Sequence, residues 1–213
     1  GADLIGFHTH DYMRHFISAV YRVMGLNSNL DEIYLTNRTV HVDAFPMGIN
    51  YEQYHSAANQ SNVKEITKSL KESFGNQQII LSVDRLDYSK GIVHRLHAFA
   101  QFLENNPEYH QKVTLAMIVV PSRDNVGYYA ELKTQINQLI GEINGKYSKL
   151  EWNPIHYYYQ SFPFDELIAL YSAADIALVS PLRDGMNLVA KEYLACKKDG
   201  DGVLILSEMA GAA

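Results

Sequence analysis

From residue 77 onward the chain alternates between two patterns of apolar and polar positions. Gln78–Val83, Val113–Val120, Ile155–Tyr159, Ile176–Val179 and Val203–Leu206 are short apolar runs bounded by polar segments, which predicts strands. Between them the apolar residues recur at helical spacing. Val93, Leu96, Phe99, Ala100 and Leu103 mark a helix over Ile92–Leu103, and Tyr129, Leu132, Ile136, Leu139 and Ile143 mark one over Val126–Ile143. A shorter helix is predicted over Asp165–Ala173, and another opens after a turn at Asp184-Gly185, carrying Glu192 about two turns on. Strands that are apolar on both faces, alternating with amphipathic helices, predict an α/β fold: a parallel sheet with helices on both faces.

The first fifty residues are less regular. Leu4–Phe7 reads as a buried strand, followed by a helix with Tyr12, Phe16, Ala19, Val20 and Val23 on one stripe, capped by Thr9 or Asp11 and ending near Gly25. Thr39–Phe45 alternates as a strand does and stops at Pro46-Met47-Gly48-Ile49-Asn50, a break suited to a domain crossing. Tyr51–Phe74 is polar and helix-compatible, with a thin stripe of Val63, Ile66 and Leu70. The expected division is residues 1–50 as the end of one domain and 51–213 as a second, incomplete one. The chain starts in a strand without a start signal and stops where the next helix is due, so a piece of a longer protein is expected.

Composition narrows the function classes. The 213 residues carry a net charge of −6, so the excess of basic groups that neutralises nucleic-acid phosphates is missing and no nucleic-acid partner is expected. No run is long and apolar enough for a bilayer span, and no membrane partner is expected. A single cysteine, Cys196, excludes an intrachain disulfide and a thiolate metal cluster and fits a reducing, cytoplasmic setting. His8, His10 and His15 lie close together, as metal ligands or as solvated loop residues; no carboxylate or cysteine completes a ligand set.

The polar loops are more informative. Asp84–Gly91, Pro121–Asp124, Ser180–Asn187 and Ser207–Gly211 each follow a predicted strand, so a parallel sheet gathers them at its carboxyl edge, where open α/β folds bind ligands. Arg85, Lys90 and Arg123 bring cations to that edge, either for phosphate groups or as halves of ion pairs with Asp84, Asp87 and Asp124. Asp184 and Glu192 suit hydroxyl groups, since ionised carboxylates accept such bonds; a helix cap and a solvated neighbour of Lys191 are the plain readings. Neither a Walker-type loop nor a Gly-x-Gly-x-x-Gly motif is present, which disfavours nucleotide hydrolysis and hydride transfer.

Four segments carry a resemblance: Arg85-Leu86-Asp87-Tyr88-Ser89-Lys90-Gly91, Pro121-Ser122-Arg123, Asn144-Gly145-Lys146-Tyr147 and Pro181–Tyr193. Together they closely resemble the trehalose-6-phosphate synthase family of retaining glycosyltransferases, and the likeness extends over the whole chain. It implies a GT-B architecture of two Rossmann-like domains, this chain holding the carboxy-terminal donor domain and a remnant of the amino-terminal one. It also implies transfer of glucose from UDP-glucose to glucose-6-phosphate with retention, without a metal or other cofactor. Carried over by position, Arg85 and Lys90 hold the donor diphosphate and stabilise the departing UDP, and Arg123 faces the acceptor phosphate. Asp184 binds donor glucose hydroxyls with the backbone of Gly185, Met186 and Asn187; Leu188 and Val189 line the phosphate approach; Glu192 accepts the ribose hydroxyls; Phe162 and Leu167 lie by the uracil. A homo-oligomer or a fused phosphatase domain is compatible with the family. Its glycine-containing loop and donor-side histidine would precede Gly1, so weak or no transfer is expected of these residues alone. A transferase with another phosphorylated or cyclitol acceptor, or a sugar-nucleotide-binding module without turnover, is the alternative.

Overall fold

The structure is a computed structural model and describes residues 1–122, 127–197 and 200–212. Its contacts divide the chain into two compact units, Gly1–Gly48 and Ile49–Ala213. The first holds β1 (Leu4–Phe7), α1 (His10–Met24), β2 (Ser28–Asn29), β3 (Glu32–Leu35) and β4 (Arg38–Ala44). β1 runs parallel to β4, while β3 pairs antiparallel with β4 and with β2. Thr9, not Asp11, caps α1, its hydroxyl accepting from the Tyr12 amide at 3.3 Å. Val20, Ile33, Val40 and Val42 form the core of this unit, with Phe7 tilted against Phe16. β2 and β3 are not predicted from the pattern because they are only two and four residues long and are joined through Leu30 at a φ of 52°.

The second unit contains α2 (Tyr51–Ala58), α3 (Ser61–Phe74), β5 (Gln78–Arg85), α4 (Ile92–Asn105), β6 (Val113–Val120), α5 (Gly127–Tyr147), β7 (Ile155–Tyr158), α6 (Phe164–Ala173), β8 (Ile176–Val179), α7 (Val189–Cys196) and β9 (Val203–Leu206). The five strands form one parallel sheet in the order β7-β6-β5-β8-β9. Strand alternation sends Val113, Leu115, Met117 and Val119 toward α4 and α5, and Ile79, Leu81, Ala116 and Ile118 toward α3, α6 and α7. Both faces of the central strands β5 and β6 are therefore dry, which is why they read as unbroken apolar runs, whereas Val203 and Ile205 on β9 stay exposed. From β5 the chain steps outward to β6 and β7, then returns to the other side of β5 with β8 and β9. That reversal places a crevice between the carboxyl ends of β5 and β8.

Two expectations are corrected here. Tyr51–Phe74 is two helices, separated at Asn59-Gln60, where the Asn59 side-chain amide donates to the His55 carbonyl at 2.9 Å and α3 starts afresh. The helix after β8 begins at Val189, several residues later than the turn at Asp184-Gly185 suggested. The Asp184 and Asn187 amides donate to the Met209 and Ala210 carbonyls, each at 2.9 Å, so tertiary pairing with the turn after β9 keeps this segment out of helix. Asp184 therefore caps nothing, and the Asn187 side-chain oxygen accepts from the Ala190 amide at 3.0 Å instead. No helix among the described residues is long and apolar enough to cross a membrane.

Candidate functional site

The crevice at the reversal is built from two loops laced together. β5 ends at Asp84-Arg85, and Asp87 then stabilises a single turn, Tyr88–Lys90, by accepting from the Ser89 amide at 2.8 Å. Gly91 follows at a φ of 68°, and a Cβ there would stand 2.8 Å from the Ser180 carbonyl oxygen. The loop after β8 can approach this closely because no side chain intervenes. The Leu182 amide then donates to the Ser89 carbonyl at 2.8 Å.

Beneath the loops lies Arg95, 2% exposed on the inner face of α4. Its guanidinium donates to the Ser82 hydroxyl and the Asp84 carboxylate on β5, to the Ser180 hydroxyl at 3.1 Å, and to the Lys90 carbonyl at 3.1 Å. One buried fork thus holds the ends of β5 and β8 and the loop between β5 and α4. Burial pushes the Asp84 carboxyl above its ordinary range, opposed by the charges of Arg95 and Lys90.

Above that layer Lys90 and Asp184 form an ion pair at 2.5 Å, and the Asn187 side-chain amide also donates to Asp184 at 3.2 Å. Arg85 is exposed and has no ion pair or side-chain hydrogen bond among the described residues. The amides of Gly185, Met186, Leu188 and Val189 likewise have no protein partner among those residues. Half-buried Glu192, on the first turn of α7, accepts from Tyr54 at 3.1 Å through one oxygen and from Tyr171 at 2.8 Å through the other. Burial, and then the charge on Glu192, push the Tyr54 hydroxyl up to about 12, and Tyr171 is raised for the same reasons. Cys196, one turn further, is buried and also pushed up to about 12, so its thiol is unreactive.

The structure brings Arg85, Lys90, Asp184 and Asn187 to the one crevice, with Gly185, Met186, Leu188 and Val189 leading from it into α7. Leu167 lies on α6 one turn before Tyr171, and Phe162 packs edge-on against Tyr158 at the end of β7, with ring centres 5.5 Å apart. Both border the apolar cluster on the α6 side of the sheet. Arg123 lies outside the described residues. His8, His10 and His15 belong to no cluster of three metal-ligating side chains among those described. A cavity of about 1000 Å³ lies at the opposite, amino edge of the sheet, between Lys71, Gln78, Asp175 and Val203. It shares no residue with the crevice. Sequence reasoning missed Arg95, Tyr54 and Tyr171.

Cations, free amides and fixed carboxylates at the reversal of a doubly wound sheet suit a ligand that carries phosphates and hydroxyls together. The chain belongs to glycosyltransferase family 20, whose model matches residues 1–213. It is 50% identical to the UDP-forming alpha,alpha-trehalose-phosphate synthase of Candida albicans over 212 residues, covering 99% of this chain and 44% of that protein. A crystal structure of the Burkholderia xenovorans UDP-forming synthase in complex with glucose-6-phosphate superposes with a TM-score of 0.94 at 34% identity, covering 99% of this chain and 47% of that one. An E. coli trehalose-6-phosphate structure bound with UDP-2-fluoro glucose gives 0.91 at 35% identity, covering 99% and 47%. The fold is therefore of the GT-B type, and the chain spans just under half the length of these relatives.

Proposed function

We propose that the protein binds UDP-glucose in this crevice and serves glucose transfer to glucose-6-phosphate with retention, giving trehalose 6-phosphate and UDP. The observation that carries the reading is the Lys90–Asp184 pair beside exposed Arg85, which has no ion pair among the described residues, in a chain whose relatives form UDP and are seen with glucose-6-phosphate and a UDP-glucose analogue. Arg85 supplies a planar fork and Lys90 a point charge for the diphosphate. When the donor enters, Lys90 exchanges Asp184 for phosphate oxygen, and Asp184 becomes free to accept from the glucose hydroxyls. The unpaired amides of Gly185 and Met186 face sugar, those of Leu188 and Val189 face phosphate, and Glu192 takes the ribose.

In the transfer step the bond from the glucose anomeric carbon to the UDP oxygen breaks. The acceptor's hydroxyl oxygen bonds to the same face, and its proton passes to the leaving phosphate. The residues supply position and charge stabilisation for that phosphate, so no protein nucleophile is needed. Arg85 and Lys90 offset the charge a divalent cation would otherwise offset, and the reading needs no metal. Calorimetric titration with UDP-glucose in a chelating buffer tests it. Binding is expected with the chelator present, and Arg85→Ala should weaken it about tenfold or more, the loss of a hydrogen bond between charged groups. Unchanged affinity in that variant would overturn the phosphate role.

A further inference from the structure

The carboxylate of Glu192 is held from two sides by helices that carry no other part of the crevice's polar machinery. Tyr54 comes from α2 and Tyr171 from α6, and each hydroxyl takes a different oxygen of the same carboxylate, at 3.1 and 2.8 Å. Tyr171 is 1% exposed, its ring sunk in the apolar cluster under α7. Packing alone would be served there by phenylalanine, because a buried hydroxyl costs free energy unless it is bonded. Glu192 is the bonding partner found for it. The Tyr54 ring is set edge-on against Phe164, with centres 5.4 Å apart, so it too is fixed from behind.

We propose that Tyr54 and Tyr171 are positioning residues that fix Glu192 as a rigid acceptor for a vicinal diol, and so set the selectivity of the crevice for ribonucleotides over deoxyribonucleotides. The inference rests on the assignment of Glu192 to the ribose. Each carboxylate oxygen accepts more than one hydrogen bond, so a tyrosine on each still leaves one acceptor position per oxygen. Two positions on one fixed plane match two adjacent hydroxyls. A free glutamate side chain would have to be immobilised when the ligand arrives, which weakens binding; one already held by two donors is not penalised in that way. Both phenols have raised pKa values and stay protonated donors through the neutral range.

The test is titration of UDP and 2′-deoxy-UDP into the protein and its Tyr54→Phe, Tyr171→Phe, doubly substituted and Glu192→Ala variants, with melting temperatures recorded alongside. The unaltered protein is expected to prefer UDP about tenfold, and Glu192→Ala to abolish the preference. Each phenylalanine variant should lower UDP affinity about threefold, and the double variant should bring the preference close to one, with 2′-deoxy-UDP affinity nearly constant throughout. If the double variant keeps the full preference while Glu192→Ala loses it, the positioning role is overturned and the donor-site reading stands. A drop in melting temperature with the preference intact has the same meaning, since it shows a staple between helices only. If Glu192→Ala keeps the preference, or the unaltered protein does not bind UDP, the ribose assignment fails and the inference with it. Should Tyr171→Phe fail to fold, Tyr54→Phe, at a half-buried ring, carries the test.

Discussion

Arg95 shows what a single residue does to this site. Its side chain and that of Asp84 are 1% and 4% exposed and 2.5 Å apart, with Ser82, Ser180 and the Lys90 carbonyl completing the guanidinium's partners. A buried pair of this kind contributes little compared with apolar residues of the same size, but removing one partner strands a charge in the core. Arg95→Met is therefore expected to cost about 3–5 kcal/mol of stability, and the Asp84→Leu, Arg95→Met double variant clearly less. Urea unfolding followed through the fluorescence of Trp152, the sole tryptophan, measures both. Equal losses in the single and double variants would mean that the pair is not what holds the loops. The sequence does contain a trace of Arg95. The buried positions of α4 are Ile92, Arg95, Leu96, Phe99 and Leu103, so a charge falls inside the apolar stripe rather than opposite it. Tyr54 and Tyr171 left no such trace, because a tyrosine at an apolar helical position reads as packing whether or not its hydroxyl has a task.

At the scale of elements, the strands and long helices of the second unit are legible because burial on both faces or on one stripe writes a period into the sequence. The start of α7 is not, because it depends on partners far along the chain: the amides of Asp184 and Asn187 are committed to Met209 and Ala210. The candidate site was legible in its loops, since every strand of a parallel sheet delivers its following loop to one edge. Which of those loops touch was not, and Gly91 decides it. At a φ of 68° and with the Ser180 carbonyl where a Cβ would go, alanine there is both strained and crowded. Gly91→Ala is expected to cost about 1–2 kcal/mol from the backbone alone and to push the two loops apart. UDP affinity should then fall by more than the stability loss explains, because Lys90 and Asp184 sit on the separated loops. Calorimetry and urea unfolding on the same variant separate the two effects; intact UDP binding would show that the close approach serves folding only.

For the whole molecule, burial sets how the charge state responds to alkaline pH, and the groups involved act in opposite senses. Burial depresses Lys197 to about 8, below its ordinary value of 10.5, with neighbouring Lys71 adding to the effect. Between those values the unfolded chain binds more protons, so this group adds stability as pH rises through that window. Burial raises Tyr54, Tyr157 and Tyr193 to about 12, and it raises Tyr171 well above its ordinary value. An unfolded tyrosine titrates near ~10, so above that pH the folded state binds more protons and the tyrosines' contribution drains away. Burial likewise raises the Cys196 thiol from 9.0 to about 12, which offsets the lysine's gain from pH ~9 upward. Stability should therefore climb between pH ~8 and pH ~9 and fall steeply beyond pH ~10, and Lys197→Met should remove the climb. Phenolate absorbance reports the tyrosines directly. Tyr54, Tyr157, Tyr171 and Tyr193 should ionise only in step with loss of the native Trp152 signal. If Tyr54 and Tyr171 ionise before the Trp152 signal is lost, the packing of α2, α6 and α7 around Glu192 is looser than the hydrogen bonds to it require.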